Sequence, residues 1–152
     1  MRRARHRAAL LGLTNLDLIQ SNLDYFNGRF DVGVALHACG VATDLVLHAC
    51  LQQRASFVLC PCCYGNLALS LPIAYPQSRW LADAATPADF SVLARVADHP
   101  TDRLAGRRSM ALVDLDRAAL AAQSGYCVLL DKLRPDTCTP KHNLIVGRAS
   151  PA

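Results

Sequence analysis

Two short apolar runs, each passing directly into a polar loop, constrain this chain more than anything else in it. Val32-Gly33-Val34-Ala35-Leu36 leads into His37-Ala38-Cys39-Gly40, and Ser56-Phe57-Val58-Leu59 leads into Cys60-Pro61-Cys62-Cys63-Tyr64. Between them, Thr43-Asp44-Leu45-Val46-Leu47-His48-Ala49-Cys50-Leu51 places apolar residues at helical spacing, which predicts a helix with Thr43 as its N-cap. A helical crossover joins parallel strands, so both loops fall at the carboxyl edge of one sheet. Open α/β sheets bind their ligands at that edge. The two loops, rich in His, Cys and Tyr, are therefore predicted to face one crevice.

The rest of the chain extends this pattern. Residues 2 to 11 suit a helix with Gly12 as its C′ residue, and Leu16-Asp17-Leu18-Ile19-Gln20 reads as a strand before the Asn27-Gly28 turn signal. Residues 65 to 85 carry Pro72, Pro76 and Trp80 without a period and predict a long loop or lid. Thr86-Pro87-Ala88-Asp89 starts a helix to about Ala97, with an N-cap hydroxyl, Pro at the first position and an acid at the third. Ser109 to Ala122 predicts another helix, closed by Gly125. Tyr126 to Leu130 and Asn143 to Gly147 read as strands with no helix between them, so they should be antiparallel neighbours. The sum is an α/β chain: parallel βα units ending in an antiparallel hairpin.

Bulk properties narrow the class. The length of 152 residues is of single-domain size, and 52% hydrophobic content is ample for a core. No apolar run approaches the length of a membrane span. Arg2, Arg3, Arg5 and Arg7 make the start basic, yet it lacks a long apolar segment and runs straight into the domain pattern, so it reads as a domain helix. Seven cysteines, an odd number with several adjacent, predict reduced thiols and a cytoplasmic chain. A net charge of +4 permits a polyanionic partner without requiring one.

The cysteine cluster invites two chemistries. Redox catalysis would place Cys60-x-x-Cys63 in a thioredoxin-like pattern, which does not surround it. Zinc needs four ligands; His37, Cys39, Cys60 and Cys63 are of the right types, but a second C-x-x-C is absent, so no metal is expected. Asp44, in the first turn of its helix, either satisfies the helix N-terminus or accepts a ring N–H from His37 and orients it. Cys50, Cys127 and Cys138 read as packing or loop positions.

Val34-Ala35-Leu36-His37-Ala38-Cys39-Gly40-Val41-Ala42-Thr43-Asp44 and Cys60-Pro61-Cys62-Cys63-Tyr64-Gly65 resemble the methyltransferase-like domain of the glutathione S-transferase C-terminal domain-containing proteins. Looser forms of the pair mark a wider group of S-adenosylmethionine-dependent methyltransferases, one of which 2′-O-methylates tRNA. The resemblance continues through Gly106-Arg107-Arg108, Leu112 to Ala118, Gly125-Tyr126 and Pro140-Lys141.

The resemblance implies a Rossmann-like methyltransferase sheet and S-adenosylmethionine as cofactor. That fold carries a glycine-rich turn after its first strand and an acid after its second. No G-x-G occurs here, and the eight glycines stand singly. The chain is accordingly expected to be N-terminally truncated: residues 1–152 would be the C-terminal two-thirds of one domain, inactive alone. By the same resemblance His37 is the base or acceptor-orienting group, with a tie to backbone carbonyls as the plainer role. Cys62, Cys63 and Tyr64 line the acceptor pocket, Tyr64 stacking on a planar substrate or hydrogen-bonding to it; a stacked base would suit RNA. Asn22 falls where this fold contacts adenine. The competing expectation is a non-catalytic methyltransferase-like module that binds RNA or a protein.

Overall fold

The structure, a computed structural model, describes residues 1–67, 73–99 and 103–150. Its helices are α1 (Arg2–Leu10), α2 (Ala42–Gln53), α3 (Arg79–Ala82), α4 (Pro87–Ala97) and α5 (Arg103–Gln123). Its strands are β1 (Val32–Leu36), β2 (Ser56–Cys60), β3 (Tyr126–Lys132) and β4 (Asn143–Ala149), with a 3₁₀ turn at Leu23–Tyr25.

The four strands form one sheet in the order β1-β2-β4-β3. β1 and β2 are parallel, with Val32 opposite Ser56 and Leu36 opposite Cys60. β4 runs antiparallel to both β2 and β3. The crossover and the terminal hairpin are thus as the pattern predicts, each hairpin strand two residues longer than expected. The segment 16–20, expected as a strand, joins no ladder among the described residues, and Leu16 and Ile19 are exposed. Alternation alone does not make a strand without a neighbour to bond.

One face of the sheet buries Ala35, Phe57, Leu59, Ile145 and Tyr126 against Leu47 and Cys50 of α2 and Ala118 and Ala121 of α5. Phe57 needs room on this face, and the register supplies it by setting Gly147 of β4 directly opposite. A Cβ at Gly147 would overlap the Phe57 ring. The Tyr126 hydroxyl donates to the carbonyls of Cys50 (2.9 Å) and Ala55 (3.0 Å), locking β3 onto the end of α2. On the opposite face Val32, Val34, Leu36 and Leu129 are exposed.

A second core joins the lid segment to the helices: Tyr64, Leu67, Tyr75, Leu81, Phe90, Ala94 and Val113. The Tyr75 and Phe90 rings stack with centroids 4.8 Å apart. Within the expected loop, Ser78 caps the four-residue helix α3 by accepting from the Leu81 N–H; a single turn is too short to leave a period. Residues 68–72 of that loop, Pro72 included, lie outside the described residues. α4 has the predicted capping box: the Asp89 N–H donates to Thr86 Oγ1, and the Thr86 N–H to Asp89 Oδ2.

Two boundaries differ from expectation. α5 begins at Arg103, not Ser109, and runs through Gly106, where a Cβ would sit 3.4 Å from the Val96 carbonyl. The missing side chain that weakens the helix locally also admits the end of α4. Thr43 is not the N-cap of α2, which is Val41; the Thr43 hydroxyl instead donates to the Ala38 carbonyl at 2.6 Å. Finally α1, although helical as predicted and followed by Gly12 at φ +63°, buries no residue.

Candidate functional site

β1 and β2 end side by side, so the loops after them meet at the carboxyl edge of the parallel pair. The register continues one step past β1: the His37 N–H donates to the Cys60 carbonyl at 2.9 Å. His37 then takes φ +52°, a left-handed conformation uncommon outside glycine, and its residue is exposed. Gly40 is also left-handed, at φ +56°, and lets the loop turn into α2. The Thr43–Ala38 bond fastens this loop to the helix behind it.

The thiols of Cys39, Cys62 and Cys63 converge there. Their Sγ atoms lie 3.3 Å (Cys39–Cys62), 3.3 Å (Cys39–Cys63) and 3.5 Å (Cys62–Cys63) apart. Among the described residues this is the group of three side chains placed to hold a metal ion. Cys60 is not part of it: it is buried, and its thiol donates to the Lys141 carbonyl at 3.6 Å. Hydrogen bonds with Cys62 and Cys63 hold the Cys39 thiol below its ordinary range. Burial, with the Cys39 and Cys63 thiols beside it, pushes Cys62 up to about 12.

Asp98, just beyond α4, holds the second loop in place. Its carboxylate accepts the N–H groups of Tyr64 (2.7 Å) and Gly65 (2.8 Å) and the Lys141 ammonium (2.8 Å). Partial burial raises this carboxyl, but Lys141 and the two N–H groups outweigh it and hold Asp98 below the usual carboxylate range. Lys141 also donates to the Ala97 carbonyl at 2.9 Å, so the β3–β4 loop, α4 and the cysteine loop meet at one carboxylate. Cys39, Gly40, Val41, Cys63, Gly65, Asn66 and Asp98 line a groove of about 490 Å³ beside the thiols.

Tyr64 does not face that groove. It is fully buried, and its hydroxyl donates to Asp114 at 3.0 Å. Arg117 and Lys141 lie 5.5 and 5.1 Å from its ring centroid. Burial first, and then the Asp114 carboxylate, drive its hydroxyl far above the ordinary tyrosine range. The stacking role expected for Tyr64 therefore has no exposed ring face to use.

Asp44 departs from expectation more sharply. It does not orient His37; it is fully buried and receives Arg117 in a two-pronged contact, Nε to Oδ1 at 2.8 Å and Nη2 to Oδ2 at 2.7 Å. Gln77 and Tyr75 donate to the same carboxylate at 2.7 and 2.9 Å. Burial raises Asp44, but Arg117 and these donors prevail and leave it below the usual range. For Asp114 burial prevails over Arg117, Asn143 and Tyr64, and its carboxyl sits above that range. Asp116 continues the network by accepting from the N–H groups of Gln77 and Ser78. No buried side-chain N or O atom among the described residues lacks a partner.

Asn22 precedes the 3₁₀ turn, is exposed and makes no side-chain cap bond. Its neighbours Leu23 and Phe26 line a separate groove with Leu45 and His48 of α2. The described residues do not make a complete cradle for S-adenosylmethionine: among them there is no glycine-rich turn, and Asn22 stands on a segment that joins no strand of the sheet.

The chain is similar to known proteins along most of its length. Residues 2–70 match the family model described as a methyltransferase domain. Over 151 residues the chain is 46% identical to the glutathione S-transferase C-terminal domain-containing proteins of mouse and human, and over 155 residues it is 43% identical to the Drosophila melanogaster homolog. These matches cover 95% of this chain, and 24% of the mouse and human proteins or 26% of the fly protein, so the chain spans about a quarter of the curated relatives. The resemblance drawn from the paired motifs is thereby shown, and the mixed α/β sheet agrees with a methyltransferase-like fold. No solved structure matches. No described helix is long and apolar enough to cross a membrane.

Proposed function

We propose that this chain is the acceptor-side part of a Rossmann-like, S-adenosylmethionine-dependent methyltransferase domain that acts on RNA. The supporting observation is the meeting of the His37–Gly40 and Cys60–Gly65 loops at the carboxyl edge of the parallel pair, where such sheets place their chemistry. Residues 1–152 form the C-terminal two-thirds of the domain, and the strands that complete the donor cradle lie before them. His37, exposed and held in an uncommon backbone conformation, is the base or orienting group for the acceptor. Cys62 and Cys63 shape the acceptor side. The exposed arginines of α1, Arg2, Arg3, Arg5 and Arg7, supply the charge that an RNA backbone would meet.

The competing reading is a methyltransferase-like module that binds RNA or a protein without catalysis. Two measurements separate the readings. Labelled S-adenosylmethionine is titrated into this chain and into the full-length protein, and methyl incorporation into bulk RNA is followed. The proposal expects weak binding by the chain alone, and binding and transfer by the full-length protein that His37→Ala lowers about a hundredfold in rate. A full-length protein that binds RNA but neither binds the donor nor labels RNA would leave only the module.

A further inference from the structure

We infer that Cys39, Cys62 and Cys63 form a three-thiolate site for one thiophilic divalent cation, zinc being the fitting ion, with a fourth position open to solvent. This goes beyond the methyltransferase reading and stands without it. The ligand set weighed from sequence, His37, Cys39, Cys60 and Cys63, is regrouped by the fold: Cys60 turns into the core, and Cys62 joins instead.

The geometry suits one ion. The three sulfur atoms form a nearly equilateral triangle with sides of 3.3, 3.3 and 3.5 Å. With zinc–sulfur bonds of about 2.3 Å, one face of a tetrahedral site has edges of roughly 3.8 Å, so the thiols need only spread by a few tenths of an ångström. They come from two loops that are fixed independently. Cys39 lies between the His37–Cys60 backbone bond and the Thr43–Ala38 bond. Cys62 and Cys63 sit between buried Pro61 and the Asp98 clamp on Tyr64 and Gly65. Positions of this kind exist before an ion arrives, which lowers the ordering cost of binding.

The donor chemistry is selective. A set of sulfur donors alone favours soft ions and is a poor host for magnesium or calcium, which take oxygen ligands. Asp98 is the nearby carboxylate of the groove, and its oxygens are already engaged by Lys141 and two N–H groups. Three protein ligands leave a fourth site for water, the arrangement of zinc centres that bind or activate something rather than merely staple a fold. The groove beside Cys39 and Cys63 gives solvent access to that position. Binding forms three sulfur–metal bonds, and the three thiol protons pass to the buffer.

The test uses this chain, stripped of metal and kept under a non-thiol reductant. Zinc is titrated in competition with a chromophoric chelator, and cadmium is titrated separately because its thiolate charge-transfer absorption counts the sulfur ligands. The expected result is one ion per chain, an absorption corresponding to three thiolates, and an affinity that falls about a hundredfold or more in Cys39→Ser and in Cys63→Ser. Cys127→Ser, which alters an exposed thiol of β3 outside the cluster, should leave affinity unchanged. Circular dichroism confirms that the serine variants remain folded, and if one does not, the cadmium spectrum of the unaltered chain decides alone. Fewer than three thiolates in that spectrum, no binding that competes with the chelator, or undiminished affinity in a folded Cys39→Ser/Cys63→Ser double variant would each overturn the assignment.

Discussion

Removing the guanidinium of Arg117 tests whether the buried charges or the apolar cores hold the lid segment to the sheet. Arg117 is 1% exposed and contacts Asp44 (0% exposed) and Asp114 (2% exposed). Arg117→Met keeps most of the volume and deletes the cation, leaving two carboxylates without a counter-charge. Truncating one partner of a buried ion pair costs about 3–5 kcal/mol, because the survivor stays desolvated. At roughly 2–4 °C per kcal/mol for a chain of this size, Tm should fall by about 6–20 °C at pH 7. The pH dependence carries a definite sign. In the unaltered chain Asp44 is depressed, so its contribution is present above the unfolded carboxylate pKa and is lost as pH falls through the folded value. In the variant the folded Asp44 pKa rises above the unfolded one, so the ionised group becomes a cost above that value and protonation relieves it. The gap between the two proteins should therefore be widest near neutrality and should narrow as pH falls below about 4. Adding Asp44→Asn to Arg117→Met should restore part of the loss. Thermal unfolding by circular dichroism between acid and neutral pH measures all of this. A fall in Tm under about 3 °C, or a gap that is constant with pH, would refute the reasoning.

Three smaller perturbations probe single features. Gly147→Ala should lower stability by about 1–3 kcal/mol in denaturant titration, since its Cβ would overlap the Phe57 ring and β2 and β4 are packed in register there. Thr86→Ala removes one half of the α4 capping box and should cost about 1 kcal/mol, read as a shift in the urea midpoint with an unchanged slope. His37→Gly should stabilise the chain relative to His37→Ala, by up to roughly 1–2 kcal/mol, because alanine inherits the left-handed backbone at φ +52° whereas glycine tolerates it. Paired thermal melts of the two variants check this.

What sequence made legible here was local or periodic. The crossover between β1 and β2 was readable from two apolar runs and a 3.6-residue period, and the start of α4 from four residues of capping chemistry. The hairpin followed from the lack of a helix between its strands. Long-range choices left no such mark. Arg117 meets Asp44 across 73 positions, and a first-turn aspartate looks the same whether it serves its own helix or a distant cation. Tyr64 looked like a pocket residue because its loop is one; only the packing of α5 against it reveals that the ring turns inward. Cys60 and Cys62, two residues apart, part between the core and the thiol cluster, a choice governed by where β2 ends. Gly106 lies before the helix expected from Ser109, and the neighbouring end of α4 makes it a point of close approach. Asp98 was the plainest omission: an acid just past a helix end gives no hint that it gathers three separate segments.

The strand order β1-β2-β4-β3 also divides the site by lifetime. β1 has one hydrogen-bonded neighbour among the described residues, whereas β2 has two, so opening should proceed inward from β1 while the β2–β4 pair still holds. His37 and Cys39 hang from the end of that outer strand, and Cys62 and Cys63 from the inner one. A brief detachment of β1 would therefore part the sulfur triangle without unfolding the sheet, and among the described residues the triangle's persistence would be set by the grip of β1 on β2.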